Sequence, residues 1–315
     1  MINNFAPTEI NWGLTYSCNL KCNHCYSNSS SQNLKNPLSF DKLKLIMNKI
    51  IDAGIFKIIF TGGEPFLNTN LFSLIEIAKK NNIFVHINTN GLLLDDKIIE
   101  KLQEYKVDSI RISLDGKNKF EHESLRGKNS NFEKVCSVIE KISKTNITTS
   151  IATTINKNNY MSLEEIIKLS INLGAKNWTT FRYVKYNKNS YKYALDKYEY
   201  YEILKKLYEY KIKYEKSIEL YIEDPLFLFI NEGKNRPCPA SNSFFAINPK
   251  GDVLLCPSIP LKVGSLIENN VFDIWNSKVF LNLRGKRMGC LSAAFEKYNV
   301  LKKDPFLKNF EVKKF

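Results

Sequence analysis

Cys18, Cys22 and Cys25 stand in the run CNLKCNHCY at C-x3-C-x2-C spacing. Thiolates this close, in a segment with no helical period, can fold around one metal centre. Their number is informative. A structural zinc site is normally closed by four protein ligands, and an iron–sulfur cube is usually held by four cysteines. Three thiolates therefore point to a cube with one iron left open for another ligand. The rival is a zinc knuckle completed by His24 or a distant residue. His24 lies between two of the thiols and beside Cys25, an awkward place from which to close a tetrahedral site.

A second cysteine set lies near the C-terminus. Cys238, Gly251 and Cys256 form C-x12-G-x4-C within CPASNSFFAINPKGDVLLCPS, and Asn248 to Gly251 is a turn signal between two strand-like runs. A hairpin folded there brings Cys238 and Cys256 close enough to share a metal, as part of a cluster or as a structural zinc hairpin. No cysteine follows Cys290. Cys136, inside the helical pattern NFEKVCSVIEKI, reads as a buried apolar residue. Seven cysteines, an odd number clustered at metal-ligand spacings, suit a reducing cytosol better than a disulfide framework.

The remaining composition, 43% hydrophobic and 25% charged, is ordinary for a globular protein. MINNFAPTEI has neither the basic start nor the apolar core of a signal peptide. PLFLFI, from Pro225 to Ile230, is too short to span a bilayer, so a cytoplasmic protein without membrane contact is expected. The net charge of +14 comes from lysines scattered along a chain that is also rich in Asn and Ile. Compositional bias is the first reading of that charge and an acidic peptide partner the second, with nucleic acid set aside. Eleven of the sixteen tyrosines fall between residues 183 and 221. The stretch YEYYEILKKLYEYKIKYEKSIEL reads as a helix with its tyrosines packed rings in and hydroxyls wet, rather than as a base-stacking platform.

The elements that must position the thiols alternate. A short strand over residues 10–16 ends at the thiol loop. SFDKLKLIMNKIIDAG then carries apolar residues at helical period, with Ser39 as N-cap and Gly54 as C-cap. The strand FKIIF, the helix LFSLIEIAKKN, the strand IFVHINTNG and the helix DDKIIEKLQEYK follow. The strand DSIRISLDG, a helix over 132–143, the strand ITTSIATTIN, the helix SLEEIIKLSINLGA and the strand NWTTFRYV complete the series. Six such repeats predict an α/β fold, an open partial (β/α)6 barrel, followed by a small α+β module with a β-hairpin. Ligands bind beyond the C-terminal ends of strands in such folds. Cys18–Cys25, Gly62–Gly63–Glu64, Asn88–Asn90, Ser113–Asp115 and Thr154–Asn156 all fall there in the sequence.

The thiol spacing, followed by an aromatic, resembles the cluster loop of the radical S-adenosylmethionine (radical SAM) enzymes, in which the open iron is chelated by the amino and carboxylate groups of SAM. FTGGEP resembles the family's glycine-rich motif: Gly62 and Gly63 admit close backbone approach, and the resemblance assigns Glu64 to the SAM ammonium. RISLDG and HESLRGKNSNFEKV resemble the fourth-strand motif and its continuation. By that likeness Ser113 and Asp115 reach the ribose hydroxyls or the methionine carboxylate, and Arg126 lies near the SAM carboxylate or the cluster. Tyr26 packs beside the adenine, and Asn88 and Asn90 are supporting polar groups or turn residues. No catalytic side chain is indicated.

The C-terminal cysteines resemble the opening of the SPASM and twitch domains, which carry an auxiliary iron–sulfur cluster. Where the family often has another cysteine, this chain has Ala293, so one auxiliary cluster at most is expected, on Cys238, Cys256 and Cys290. The resemblance divides the chain into a core, 1–225, and an auxiliary module, 226–315. It implies [4Fe–4S] and SAM as cofactors, a flavodoxin- or ferredoxin-type electron donor, and a 5′-deoxyadenosyl radical that takes hydrogen from a substrate. A ribosomally made peptide is the first choice of substrate and a small molecule in cofactor or antibiotic biosynthesis the second. Seventeen residues precede Cys18, too few for a leader-binding domain, so a separate leader-peptide-recognition protein is one expectation. A non-catalytic metal or redox sensor is the reading from a different class.

Overall fold

The structure is a computed structural model that describes residues 6–27, 29, 37–184, 192–223 and 238–285. The expected alternation is present. Strands β1 (Glu9–Gly13), β2 (Lys57–Thr61), β3 (Phe84–Thr89), β4 (Ser109–Ser113), β5 (Thr148–Ile155) and β6 (Asn177–Arg182) are separated by helices α1 (Phe40–Asp52), α2 (Leu71–Lys80), α3 (Asp96–Glu104), α4 (Lys119–Arg126), α5 (Phe132–Ser143) and α6 (Leu163–Asn172). Beyond them lie α7 (Lys197–Lys213), β7 (Glu219–Glu223), β8 (Phe244–Ile247), β9 (Asp252–Cys256), β10 (Ile259–Ser265), α8 (Val271–Trp275) and α9 (Lys278–Leu283).

Two compact units contain these elements, and the chain passes from one to the other within β3. The first holds residues 1–18, 27–86 and 236–315. In it β1 pairs in parallel with β2 on one side and with β8 on the other, and β8, β9 and β10 continue antiparallel. Its core packs Ile10, Trp12, Ile58 and Phe60 against Ile46, Met47 and Ile50 of α1, all without solvent exposure. Phe245, Trp275 and Phe280 extend that core as a buried aromatic cluster, with ring centroids 5.0–6.1 Å apart. Lys49 of α1 donates from Nζ to the carbonyls of Leu266, Ile267 and Asn269 at 2.9, 3.3 and 3.0 Å, fastening the C-terminal turn to the helix. The hairpin read from Asn248 to Gly251 is formed: Gly251 has φ +81°, a conformation that side chains disfavour.

The second unit holds residues 19–26 and 87–235. Here β4, β5, β6 and β7 pair in parallel in chain order. Ile110, Ile112, Ile151 and Trp178 on one sheet face are fully buried, as are Leu102, Ile139, Ile142, Ile166 and Ile167 from the helices. Among the described residues neither the hairpin strands of the first unit nor the parallel set of the second closes on itself.

Three expectations are corrected. The tyrosine-rich segment is not one helix: α7 stops at Lys213 and residues 219–223 form a seventh parallel strand, β7. Its tyrosines do not all pack inward, because Ile203, Leu204 and Leu207 make the buried face while Tyr198 and Tyr201 are exposed. The segment 119–126 is helix α4, capped by the Asn118 side chain, which accepts the Glu121 N–H at 3.0 Å. Pro225–Ile230 lies outside the described residues, and no described helix is long and apolar enough to cross a membrane.

Candidate active site

In the first unit the site begins where β1 and β2 end. The pairing runs past the strands: Leu14 N–H donates to Thr61 C=O at 2.9 Å, Gly63 N–H to Thr15 C=O at 2.7 Å and Glu64 N–H to Ser17 C=O at 2.8 Å. This explains the glycines. A Cβ at Gly63 would stand 2.2 Å from the Ser17 carbonyl oxygen, and one at Gly62, whose φ is +139°, 2.5 Å from that of Thr15. The close approach they allow is to the protein's own chain leading into Cys18. Asn68 Nδ2 donates to Leu14 C=O at 3.0 Å and adds a second tie to this segment. Glu64 is fully buried, with Oε1 accepting the Phe66 N–H at 3.3 Å where the Pro65–Leu67 turn begins. Burial, then the charge of Asp252, pushes the Tyr16 phenol up to about 12, so it stays protonated.

In the second unit the thiol loop from Asn19 to Tyr26 is tied down at several points. Asn90, just past β3, donates from Nδ2 to Asn19 Oδ1 at 2.8 Å and accepts the Leu92 N–H at 3.0 Å. Asn23 donates its N–H to Leu125 C=O at 2.8 Å and its side-chain amide to Ser124 C=O at 3.0 Å, both at the end of α4. Helix ends leave carbonyls without intrahelical partners, and the loop takes up two of them. Within the loop Cys25 N–H donates to Cys22 C=O at 3.2 Å. Cys18, Cys22 and Cys25 are half-buried thiols, and Tyr26 is 38% exposed.

Under His24 lies a buried polar cluster. Asp115 has no solvent exposure; its Oδ1 accepts the Thr154 N–H at 2.6 Å, its Oδ2 accepts from Arg126 Nε, and His24 Nε2 stands 4.0 Å from Oδ2. The Asp115 backbone N–H donates to His122 Nδ1 at 3.2 Å, and Asn159 Nδ2 donates to the Asp115 carbonyl at 2.9 Å. Burial alone would raise the Asp115 carboxyl, but the Arg126 guanidinium, with His24 and His122, outweighs it and holds the group below the usual carboxylate range. Burial and then Arg126 push both imidazoles down to about 4, so they are neutral at neutral pH. As placed, Asp115 has no exposed surface and directs one oxygen to the Thr154 N–H and the other to Arg126 Nε. Ser113 closes β4, half-buried, and Asn88 stands half-buried near the end of β3. The clamp on the thiol loop was missed in the sequence because α4 was; Asn118 followed three residues later by Glu121 was the available helix-start signal.

In the C-terminal set, Cys256 ends β9 and pairs in register with Ile259 of β10. Ala240 bridges to Phe244, and Asn242 Nδ2 donates to Cys238 C=O at 2.7 Å, so the chain doubles back just after Cys238. Cys290 lies outside the described residues. Cys136 is half-buried, and burial with the charge of Glu133 pushes its thiol up to about 11.

The donor sets fit iron–sulfur chemistry. All six described cysteines are thiols rather than disulfides. Among the described residues no three His, Cys, Asp or Glu side chains are gathered to hold one metal ion. A cube, however, binds each thiolate to a different iron, so its ligands need not converge on a point.

The family profile of the radical SAM superfamily matches residues 12–170. The chain belongs to the radical SAM superfamily. An iron–sulfur cluster-binding domain, SPASM, matches residues 238–297 of this radical SAM protein. Its cofactors are accordingly [4Fe–4S] clusters and SAM. The AdoMet-dependent heme synthase of Methanosarcina barkeri is 28% identical over 89% of this chain and 85% of its own length. The mycofactocin maturase MftC of Mycolicibacterium smegmatis is 27% identical over 89% of this chain and 73% of its own. The crystal structure of Streptococcus suis SuiB bound to S-adenosylmethionine superposes with a TM-score of 0.75 at 17% identity, over 87% of this chain and 66% of that one. This chain therefore spans just under two thirds of SuiB. These likenesses and the observed parallel βα units agree on the α/β class.

Proposed function

We propose that this protein cleaves SAM reductively and uses the resulting radical to take a hydrogen atom from a ribosomally made peptide during its maturation. The observation that supports the chemistry is the C-x3-C-x2-C loop at the end of β1, held against α4, in a chain of this superfamily. When bound, the cluster on Cys18, Cys22 and Cys25 supplies the electron that splits SAM into methionine and a 5′-deoxyadenosyl radical, which becomes 5′-deoxyadenosine on taking hydrogen. The protein's task is to hold and orient. Glu64 accepts the SAM ammonium, Gly62 and Gly63 shape the turn beside the loop, and Arg126 faces the SAM carboxylate or the cluster. Ser113 and Asn88 offer polar contacts and Tyr26 an aromatic face. Cys238, Cys256 and Cys290 hold an auxiliary cluster in a module over 226–315. A flavodoxin- or ferredoxin-type protein supplies electrons.

The maturation proteins MftC and SkfB among its relatives favour a peptide. A small-molecule substrate is the second reading, favoured by the heme synthase of M. barkeri, which aligns along 89% of this chain. The experiment is deuterium transfer. The reduced holoenzyme is incubated with any short peptide encoded beside its gene, carrying deuterium at carbon, or with a deuterated porphyrin. Deuterium in 5′-deoxyadenosine from a peptide alone supports the first reading. Deuterium from the porphyrin alone overturns it.

A further inference from the structure

We propose that the buried Asp115–Arg126 pair sets the local charge beneath the SAM-binding cluster, with Asp115 a positioning residue that acts through Arg126 rather than a ligand of SAM. Three observations carry this. Asp115 is fully buried and spends both carboxylate oxygens on protein donors, the Thr154 N–H and Arg126 Nε. The pair lies under the cluster loop itself: His24 Nε2 is 4.0 Å from Asp115 Oδ2, and His24 is bonded to Cys25. The loop is also fastened beside Arg126, since Asn23 donates to the carbonyls of Ser124 and Leu125.

A buried guanidinium beside the cluster loop favours the reduced form, which carries one more negative charge, and a buried carboxylate favours the oxidised form. In a low-dielectric interior such charges act far more strongly than at a surface. Cluster potentials respond to net charge and to hydrogen bonding around the cluster. Asp115 therefore both holds Arg126 in place and cancels its field. Breaking one side of a buried pair leaves an uncompensated charge, whereas removing both does not.

The inference rests on the reading that Cys18, Cys22 and Cys25 hold the cube. The test is an EPR-monitored redox titration of that cube at pH 8, where imidazoles are neutral, in the holoenzyme and in Asp115→Asn, Arg126→Gln and the double variant. Asp115→Asn is expected to raise the potential, Arg126→Gln to lower it, and the double variant to return toward the parent. Opposite signs with reversal are a pattern that simple loosening of the loop does not produce. Equal potentials in all four, or shifts of one sign in both single variants, overturn the inference. Should a single variant fail to load iron, the double variant decides: a parent-like potential supports compensation, and a displaced one overturns it. A parent protein without any cube that depends on Cys18, Cys22 and Cys25 would instead sink the cluster reading beneath it.

Discussion

A methyl group added at Gly63 would sit 2.2 Å from the carbonyl oxygen of Ser17, and a backbone carbonyl cannot swing away as a flexible side chain can. Relief must come from moving the segment that leads into Cys18. Gly63→Ala is therefore expected to cost about 1–3 kcal/mol or more and to lower iron content together with the midpoint of anaerobic thermal unfolding. Unchanged iron and an unchanged midpoint would show that the turn is slack. Cys136 gives a contrasting prediction. With its thiol pushed up to about 11, it is almost wholly protonated at pH 8, and the thiolate is the reactive form. Brief alkylation of the anaerobic holoenzyme at pH 8, read by mass spectrometry, should leave Cys136 unmodified, and rapid labelling would contradict a thiol held protonated.

At the scale of elements, α1 is joined to the C-terminal turn by one ammonium serving three carbonyls, those of Leu266, Ile267 and Asn269. Lys49→Met keeps the apolar stem and removes these charged hydrogen bonds, a kind worth about 1.5–3 kcal/mol net where shielded from water. The expected result is faster proteolysis after residue 256 in the holoenzyme with SAM cleavage retained; an unchanged digestion pattern would contradict the tie. Most elements were legible in the sequence because their apolar residues recur at clean periods, as in α1 and β4. The exceptions have physical causes. The buried face of α4 is His122, Leu125 and Arg126, so a count of apolar residues passes over it. In β7 only Leu220 is fully buried, and its polar alternation runs on from a helix of similar composition. In β10 a proline interrupts IPLKVGS, which ordinarily argues against a strand, and its pairing with β9 has shifts in register. At the site, the thiols and the glycine turn stood out by residue type and spacing. The grouping of His24 with Asp115 and Arg126 did not, because it depends on a contact between segments far apart in the chain.

At the scale of the whole molecule, the family match and the compact units divide the chain differently. The SPASM match covers residues 238–297, yet β8 pairs with β1 and the C-terminal strands share a core with α1 and β2. The proposed auxiliary module is thus an extension of the sheet that begins at β1, and loss of its cysteines is expected to remove a cluster without unfolding that sheet. The central claim is that Cys18, Cys22 and Cys25 hold the cube that cleaves SAM. Its most direct test is iron and sulfide quantification with EPR, alongside 5′-deoxyadenosine formation, on the anaerobically reconstituted protein and its Cys18→Ala, Cys22→Ala, Cys25→Ala triple variant. Two cubes and 5′-deoxyadenosine are expected in the parent, and one cube and no 5′-deoxyadenosine in the variant. Zinc without iron in the parent, or 5′-deoxyadenosine formed equally by the variant, would contradict it.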